Sequence, residues 1–429
     1  MSILKELSKE ASRCVKCGAC LASCPIYAET LSEVTTARGK LSLIESLSTG
    51  EIQLTSKLKD LLSSCLICNA CGEGCPNNVR VEEILLEARK ELVVHRGLPF
   101  AKKLLFLLLR SSPRVLPSYL KAGSLLQGLL LEKVPQESGL HLRFSLPYLD
   151  KRRLIPPLAK RFFLHSHPSL VKSPQEKRCV GYFVGCVTNY LFPHLGETTV
   201  RILNRQGTSL VIPHEQTCCG LIAFGSGDWQ STQKLALSNI NAFEQFNPDT
   251  IITTCASCAA TLKAFYPRLF KNADPETQKK VERFSNKIMD ISQYLTQEMN
   301  FLPSALQKSS SPKDPLPTIT YHDPCHLNRT LGITREPREI LKSLSHLTYV
   351  EMKEAARCCG MGGLFNLTHY GLSLEILNHK LDMLKEMGVE MVATSCSGCM
   401  LHFIDGIHQR GMKIKVLHLL EVLETEQGR

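Results

Sequence analysis

Ten of the nineteen cysteines fall into two sets of five whose members recur in the same order. In the first, Cys186 stands upstream of the adjacent pair Cys218-Cys219, and Cys255-x-x-Cys258 follows. In the second, Cys325 precedes Cys358-Cys359, and Cys396-x-x-Cys399 follows. Cys186 and Cys325, Cys218 and Cys358, and Cys255 and Cys396 lie 139, 140 and 141 residues apart, so the sets form an internal repeat. Five thiolates exceed the four that tetrahedral zinc needs, and soft thiolates select zinc, copper(I) or iron–sulfur clusters. The chemistry within reach is metal binding, with electron transfer if the metal is iron.

Eight more cysteines form two copies of C-x2-C-x2-C-x3-C-P. One is Cys14, Cys17, Cys20, Cys24 and Pro25; the other is Cys65, Cys68, Cys71, Cys75 and Pro76. This is the spacing of bacterial two-cluster ferredoxins, where three thiolates wrap one face of a [4Fe–4S] cube and the fourth ligates the neighbouring cube. By that rule one cubane cluster takes Cys14, Cys17, Cys20 and Cys75, and the other takes Cys65, Cys68, Cys71 and Cys24. Zinc ribbons use Cys-x-x-Cys pairs, not a triple run ending in Cys-Pro. Cys179 belongs to no set and reads as a small buried or free thiol. His322, Asp323 and His326 flank Cys325 and could relay protons, although His-Asp-Pro equally makes a turn or cap.

A chain of 429 residues is too long for one core, and 43 % hydrophobic with 21 % charged residues is ordinary for a soluble globular protein. The first residues, MSILKELSKEASR, lack the apolar run of a signal peptide, and no apolar run approaches the ~18 residues of a membrane span. Abundant cysteine without an export signal reads as metal ligation in a reducing cytoplasm. The net charge of +11 is local: Arg89 to Arg161 holds fifteen Lys or Arg against four acids, and the remainder is neutral. That stretch interleaves leucine with Lys102, Lys103, Arg110, Arg114 and Lys121. Such a pattern suits an amphipathic helix packed on its own protein, or one lying against an anionic membrane surface or a partner. No nucleic-acid module is present, and interleaved leucine argues against a phosphate-binding face.

The elements that must position the cysteines follow from periodicity. ARGKLSLIESL carries helical spacing at Leu41, Ile44 and Leu47, and VEEILLEARKELVVHRG reads as a helix ending at Gly97. From about residue 178, strands alternate with helices. CVGYFVGCV, TIITTC, TITYHDPC and MVATSC read as strands ending at Cys186, Cys255, Cys325 and Cys396, with helix-compatible sequence following at ETTVRILNRQG, ASCAATLKAFY and CSGCMLHFIDG. Cysteines at strand ends and helix starts occupy the ligand-binding edge of an open α/β sheet. Gly220, Gly225 and Gly227, with Gly360, Gly362 and Gly363, are expected to let backbone approach inorganic sulfur. The Ser-, Pro- and Lys-rich stretch QKSSSPKDPLPT separates the repeats.

The two five-cysteine sets resemble the CCG (cysteine-rich) domains of heterodisulfide reductase and of the iron–sulfur subunits of glycolate oxidase and anaerobic glycerol-3-phosphate dehydrogenase. The N-terminal part resembles the α-helical ferredoxin domain of succinate dehydrogenase relatives, with Arg38-Gly39-Lys40 similar to a step common in glycolate oxidase subunits. The resemblance implies a multidomain chain: an α-helical two-cluster ferredoxin domain over 1–97, a basic leucine-rich helical linker over 98–175, and α/β CCG domains over 176–302 and 316–425. It implies one or two further, non-cubane [4Fe–4S] clusters on the CCG cysteines, with zinc the alternative. The chain shows no G-x-G-x-x-G after a strand, no P-loop and no G-x-S-x-G. Hydride chemistry on an alcohol therefore needs a partner that supplies the substrate site, and the resemblance implies that this partner is a flavoprotein carrying FAD, with quinone or another acceptor downstream. The implied role is the iron–sulfur subunit of a 2-hydroxy-acid dehydrogenase. A glycerol-3-phosphate dehydrogenase subunit and a heterodisulfide-reductase-like catalyst stay open beside it.

Overall fold

The computed structural model describes residues 2–110, 131–133, 140–142, 150–300 and 316–427. Arg114, Lys121 and most of the Ser/Pro/Lys stretch between the repeats lie outside the described residues. The chain divides into two compact units. One gathers Met1–Leu107 with two later segments, Gly220–Thr232 and Arg357–Lys380; the other comprises Leu108–Cys219, Gln233–Ala356 and Leu381–Arg429. The residues that follow each Cys-Cys pair thus fold with the N-terminal helices and not with the sheet that precedes them.

The first unit is helical: α1 (Ser2–Ala11), α2 (Ala19–Ser23), α3 (Pro25–Thr30), α4 (Ala37–Thr49), α5 (Ser56–Ser63), α6 (Ala70–Glu73), α7 (Val81–Arg96) and α8 (Phe100–Leu109). Both helices expected from periodicity are present. The Thr36 hydroxyl caps α4 by accepting the Gly39 N–H at 3.3 Å, and Leu41 and Ile44 are buried. Helix α7 buries Ile84, Leu85, Ala88 and Leu92 and ends at Gly97, whose φ of 67° stops the helix. Proline at the first position of α3 fixes the chain's exit from Cys24.

The second unit holds β1 (Leu131–Lys133), β2 (Leu140–Leu142), β3 (Leu170–Val171), β4 (Arg178–Phe183), β5 (Thr208–Val211), β6 (Ile251–Thr253), β7 (Ile288–Asp290), β8 (Thr318–Tyr321), β9 (Thr348–Tyr349), β10 (Met391–Thr394) and β11 (Lys415–His418). Strands β1 and β2 form a small hairpin. The first repeat builds the sheet β3-β5-β4-β6-β7, parallel except for β3; the second builds β9-β8-β10-β11, all parallel. Without β3 the two sheets have the same order, so the internal repeat is one of topology as well as sequence. β3 comes from the segment 98–175, whose end therefore contributes to a sheet and not only to a connection. The repeats also share one hydrophobic core: Tyr182, Leu210 and Ile252 join Ile319, Tyr321 and Leu423 in a single buried cluster.

The basic stretch is less uniform than its composition suggests. Arg89 is buried, and Lys102 is pushed below the usual lysine range by burial. Helix α8 exposes Phe100, Leu104 and Leu107, three positions on one helical face, and buries Phe106. Among the described residues no helix is long and apolar enough to cross a membrane.

Candidate metal centres

In the first unit the two ferredoxin motifs wrap around one another. A cavity there is lined by Cys14, Cys17, Cys20, Cys71 and Cys75, with Arg38 at its wall. Cys24 is not among the residues lining this cavity. Burial pushes its thiol up to about 11, and the thiols of Cys65 and Cys68 are the charged groups that add to the effect. Cys71 is pushed up in the same way, with Cys65, Cys68 and Cys24 as neighbours. The Ile67 and Val79 N–H groups each donate to a sulfur, those of Cys65 and Cys75, at 3.5 Å. Arg38 and Lys40 point to different centres. Arg38 Nη1 binds the Lys16 carbonyl at 3.0 Å beside Cys14–Cys20, whereas Lys40 is buried near Cys65, Cys24 and Cys71, its ammonium on the Thr35 carbonyl. A glycine between them is required, because a Cβ at Gly39 would stand 2.3 Å from the Glu33 carbonyl oxygen.

Arg89 holds the second motif in place. Its guanidinium donates to the carbonyls of Leu62 (3.1 Å), Ser63 (2.9 Å), Cys65 (2.8 Å) and Gly225 (2.7 Å). A Cβ at Gly227 would come within 2.3 Å of the Arg89 carbonyl oxygen, and one at Gly362 within 2.6 Å of Leu66. These glycines let the segments after the Cys-Cys pairs approach the ferredoxin helices and loop closely. Lys90 Nζ over the Trp229 ring, at 4.5 Å, adds to the same packing.

In the second unit the cysteines lie at the switch point of each sheet. Cys186 follows β4 and begins the helix Cys186–Tyr190; Cys255 follows β6 and caps the helix Ala256–Ala260. β4 and β6 are neighbours from which the chain departs in opposite directions, so the crevice outside their carboxyl ends is the ligand site of an open α/β sheet. The strands β4, β6, β8 and β10 stop two to four residues before Cys186, Cys255, Cys325 and Cys396 instead of at them. Sulfurs run in hydrogen-bonding contact from Cys186 through Cys218, Cys219 and Cys258 to Cys255. Hydrogen bonds from Cys258 and Cys396 hold the Cys255 thiol well below the usual range, whereas sharing with their cysteine neighbours pushes Cys218 and Cys258 up. A Cβ at Gly185, whose φ is 76°, would be 3.1 Å from Cys258 Sγ, so glycine leaves the sulfur its room. Five convergent thiols and a cradle that a side chain would fill suit a thiolate-bound metal cluster. Its charge would draw off protons that burial otherwise retains.

The Cys-Cys backbone of the first set is held by neutral groups. Asn239 Nδ2 donates to the Cys218 carbonyl and to Tyr266 Oη, both at 3.1 Å, and Tyr266 Oη donates to the Cys219 carbonyl at 3.1 Å. In the second set, Cys325 caps the π-helical turn His326–Thr330, and Cys396 caps the helix Ser397–Gln409, which carries Cys399. Cys358 and Cys359, both buried, stand in the segment Arg357–Lys380 of the first unit. Cys179 sits exposed on β4, outside both sets.

Of the three residues flanking Cys325, Asp323 is a structural clamp. Arg338 grips both of its oxygens at 2.8 Å and also holds Glu351. His322 is fully buried with its ring edge-on to Phe403. His326 Nδ1 lies 3.2 Å from Ser257 Oγ. Sequence reasoning missed Ser257, Ser397, Tyr182 and Tyr321. The tyrosines carried a signal, since Tyr182 meets Thr254 and Tyr321 meets Ser395 at matching positions of the repeat.

Known families and proteins match this arrangement. A 4Fe-4S dicluster domain covers residues 10–79, and a Cysteine-rich domain covers 180–263 and again 319–404. A probable glycolate oxidase iron–sulfur subunit of Bacillus subtilis is 31 % identical over 98 % of this chain and 94 % of its own length. The chain belongs to the glycolate oxidase iron–sulfur subunit family. The dicluster and cysteine-rich family matches support iron–sulfur clusters in this chain. One of the subunits of the fumarate reductase (CoM/CoB) of Methanothermobacter marburgensis is 27 % identical over 97 % of this chain and 72 % of its own length. Lactate utilization protein A of an Exiguobacterium species is 32 % identical over 57 % of this chain and 96 % of its own. The crystal structure of a hypothetical protein from Helicobacter pylori shares the fold, with a TM-score of 0.54 at 11 % identity, covering 91 % of this chain and 68 % of that one.

Proposed function

We propose that the chain is the electron-transfer subunit of a flavin-dependent 2-hydroxy-acid dehydrogenase of the glycolate or lactate type. It receives electrons from a partner flavoprotein carrying FAD and passes them towards quinone or another acceptor. The similarity to a glycolate oxidase iron–sulfur subunit along almost the whole chain carries this reading. Bound clusters supply one-electron transfer, whereas oxidising an alcohol to a carbonyl removes two electrons, so the substrate site belongs on the partner. The ligand sets are Cys14, Cys17, Cys20 and Cys75 for one cubane cluster and Cys65, Cys68, Cys71 and Cys24 for the other. One further [4Fe–4S] unit on each CCG set brings the total to about sixteen irons. This chain's residues hold the sulfurs, exclude water from them and place cations beside them.

Anaerobic purification of the tagged chain from its native host tests the proposal. An FAD-containing subunit and dye-coupled oxidation of glycolate or lactate should co-purify. Recovery of glycerol-3-phosphate oxidation instead would move the chain to the glycerol-3-phosphate dehydrogenase branch. A second reading, disulfide chemistry at the CCG sets, is favoured by the contact between Cys255 and Cys396 and calls for thiol–disulfide turnover by the isolated chain. We also assign α8 a peripheral contact with an anionic membrane at the cytoplasmic face. Exposed Phe100, Leu104 and Leu107 beside Lys103 support it. Glutamine at the three apolar positions should release the complex from membranes, and unchanged sedimentation refutes the contact.

A further inference from the structure

The two Cys-x-x-Cys loops of the second unit face each other, and each sends a hydroxyl to the first sulfur of the other. Ser397 Oγ donates to Cys255 Sγ at 3.4 Å, and Ser257 Oγ lies 3.3 Å from Cys396 Sγ. The backbones are joined across the same junction, where the Ala256 N–H donates to the Ser395 carbonyl at 2.8 Å. Repeat symmetry does not generate this crossing. Ser257 is the third residue of Cys255-Ala256-Ser257-Cys258, and Ser397 the second of Cys396-Ser397-Gly398-Cys399.

We propose that Ser257 and Ser397 are positioning residues that tune across the repeat: each hydroxyl sets the reduction potential of the cluster bound by the other repeat. The inference rests on the reading that both CCG sets hold clusters. A cysteine that ligates iron carries no proton, so in each pair the serine must be the donor. A hydrogen bond to a ligating sulfur draws negative charge from it, which favours the reduced state and raises the potential. Burial strengthens the bond. Cys255, Cys396 and Ser397 are all buried, and Ser257 is partly so. For Ser257 the direction is fixed from behind, because His326 Nδ1 at 3.2 Å can occupy the acceptor side of the hydroxyl while its proton points at Cys396. Neither centre then has a potential of its own; each depends on the loop of its neighbour.

The experiment is a redox titration of the full-length, anaerobically reconstituted protein, followed by electron paramagnetic resonance. Cys186→Ser and Cys325→Ser first assign the signals, each abolishing one CCG centre. Ser397→Ala should then lower the potential of the centre lost in Cys186→Ser, and Ser257→Ala that of the centre lost in Cys325→Ser. The expected change is about tenfold in the reduction equilibrium, about 59 mV for one electron. Threonine at either position keeps the hydroxyl and should restore the value. If each alanine shifts its own repeat's signal, or both signals persist unmoved, the crossing is wrong. A variant that loses one cluster outright is read the same way: loss of the other repeat's signal supports the crossing, and loss of its own overturns it. Wild-type protein with about eight irons and no signal beyond the ferredoxin pair overturns the cluster reading itself, and the inference with it.

Discussion

In the ferredoxin pair, a cysteine passes from one motif to the other. Cys24 lies among Cys65, Cys68 and Cys71, and Cys75 lines the cavity of Cys14, Cys17 and Cys20. In the CCG pair the exchange is by hydrogen bond: Ser257 and Ser397 reach sulfurs of the opposite repeat, while Cys186, Cys218, Cys219, Cys255 and Cys258 stay together. The supports differ too. A buried guanidinium holds the entry to the Cys65 loop through the last two carbonyls of α5, those of Leu62 and Ser63, with the carbonyls of Cys65 and Gly225, whereas the amide of Asn239 and the phenol of Tyr266 hold the Cys218-Cys219 backbone. The last carbonyls of a helix have no partner within it, and a forked cation can satisfy them together with the Cys65 carbonyl just beyond. A loop at the edge of a parallel sheet is already fixed by the strands and needs only neutral bonds.

The largest effect should come from breaking the exchange of cysteine. Cys24→Ser should destroy the cluster of Cys65, Cys68 and Cys71, and Cys75→Ser that of Cys14, Cys17 and Cys20, each removing about four irons. Mössbauer spectra in which each variant loses the cluster of its own motif would refute the crossed sets. Next is Arg89→Met, which leaves buried carbonyls without their donor and should destabilise the ferredoxin unit by on the order of 3–5 kcal/mol. Thermal unfolding followed at the cluster absorbance measures it, and a loss under about 1 kcal/mol would mean that water replaces the guanidinium.

A third test compares the sheet edges. Asp290 at the end of β7 pairs with Thr253, and His418 at the end of β11 pairs with Thr394, so they occupy equivalent places. Burial pushes Asp290 up to about 7 and His418 down, which favours the neutral form of both. Since the folded chain keeps the Asp290 proton between the unfolded value of about 4 and about 7, the unfolded chain binds fewer protons in that window. Stability must therefore fall as pH rises through it, by on the order of a few kcal/mol. Asp290→Asn should remove this slope; a denaturation midpoint with the same pH dependence in both proteins would show that Asp290 ionises as in water. The smallest effect is Tyr266→Phe. It deletes the hydroxyl on the Cys219 carbonyl and should cost about 1–2 kcal/mol in the second unit, leaving the ferredoxin signals unchanged. A change in those signals would show that the two supports are not independent.

The cysteine sets, the repeat, the helices α4 and α7 and the strand–cysteine–helix order were all legible, because spacing and periodicity are local. Arg89 was not. It counted as one positive charge in a basic stretch, and nothing in its neighbourhood along the chain indicates that it is buried under carbonyls. Asp323 beside Cys325 read equally as a proton carrier or as part of a turn or cap, and it is Arg338, fifteen residues on, that ties it to the structure by engaging both its oxygens.

By itself the sequence determined the cysteine sets, their repeat and the ferredoxin and CCG class, since thiols at these spacings suit little else. Only the tertiary structure decided which sulfurs meet, that the segments after each Cys-Cys pair fold with the ferredoxin helices, and that one core serves both sheets. The physical reason is distance along the chain. A hydrogen bond such as Ser397 to Cys255 joins residues 142 apart, and contact at that separation is set by how the two sheets pack, which no local pattern records.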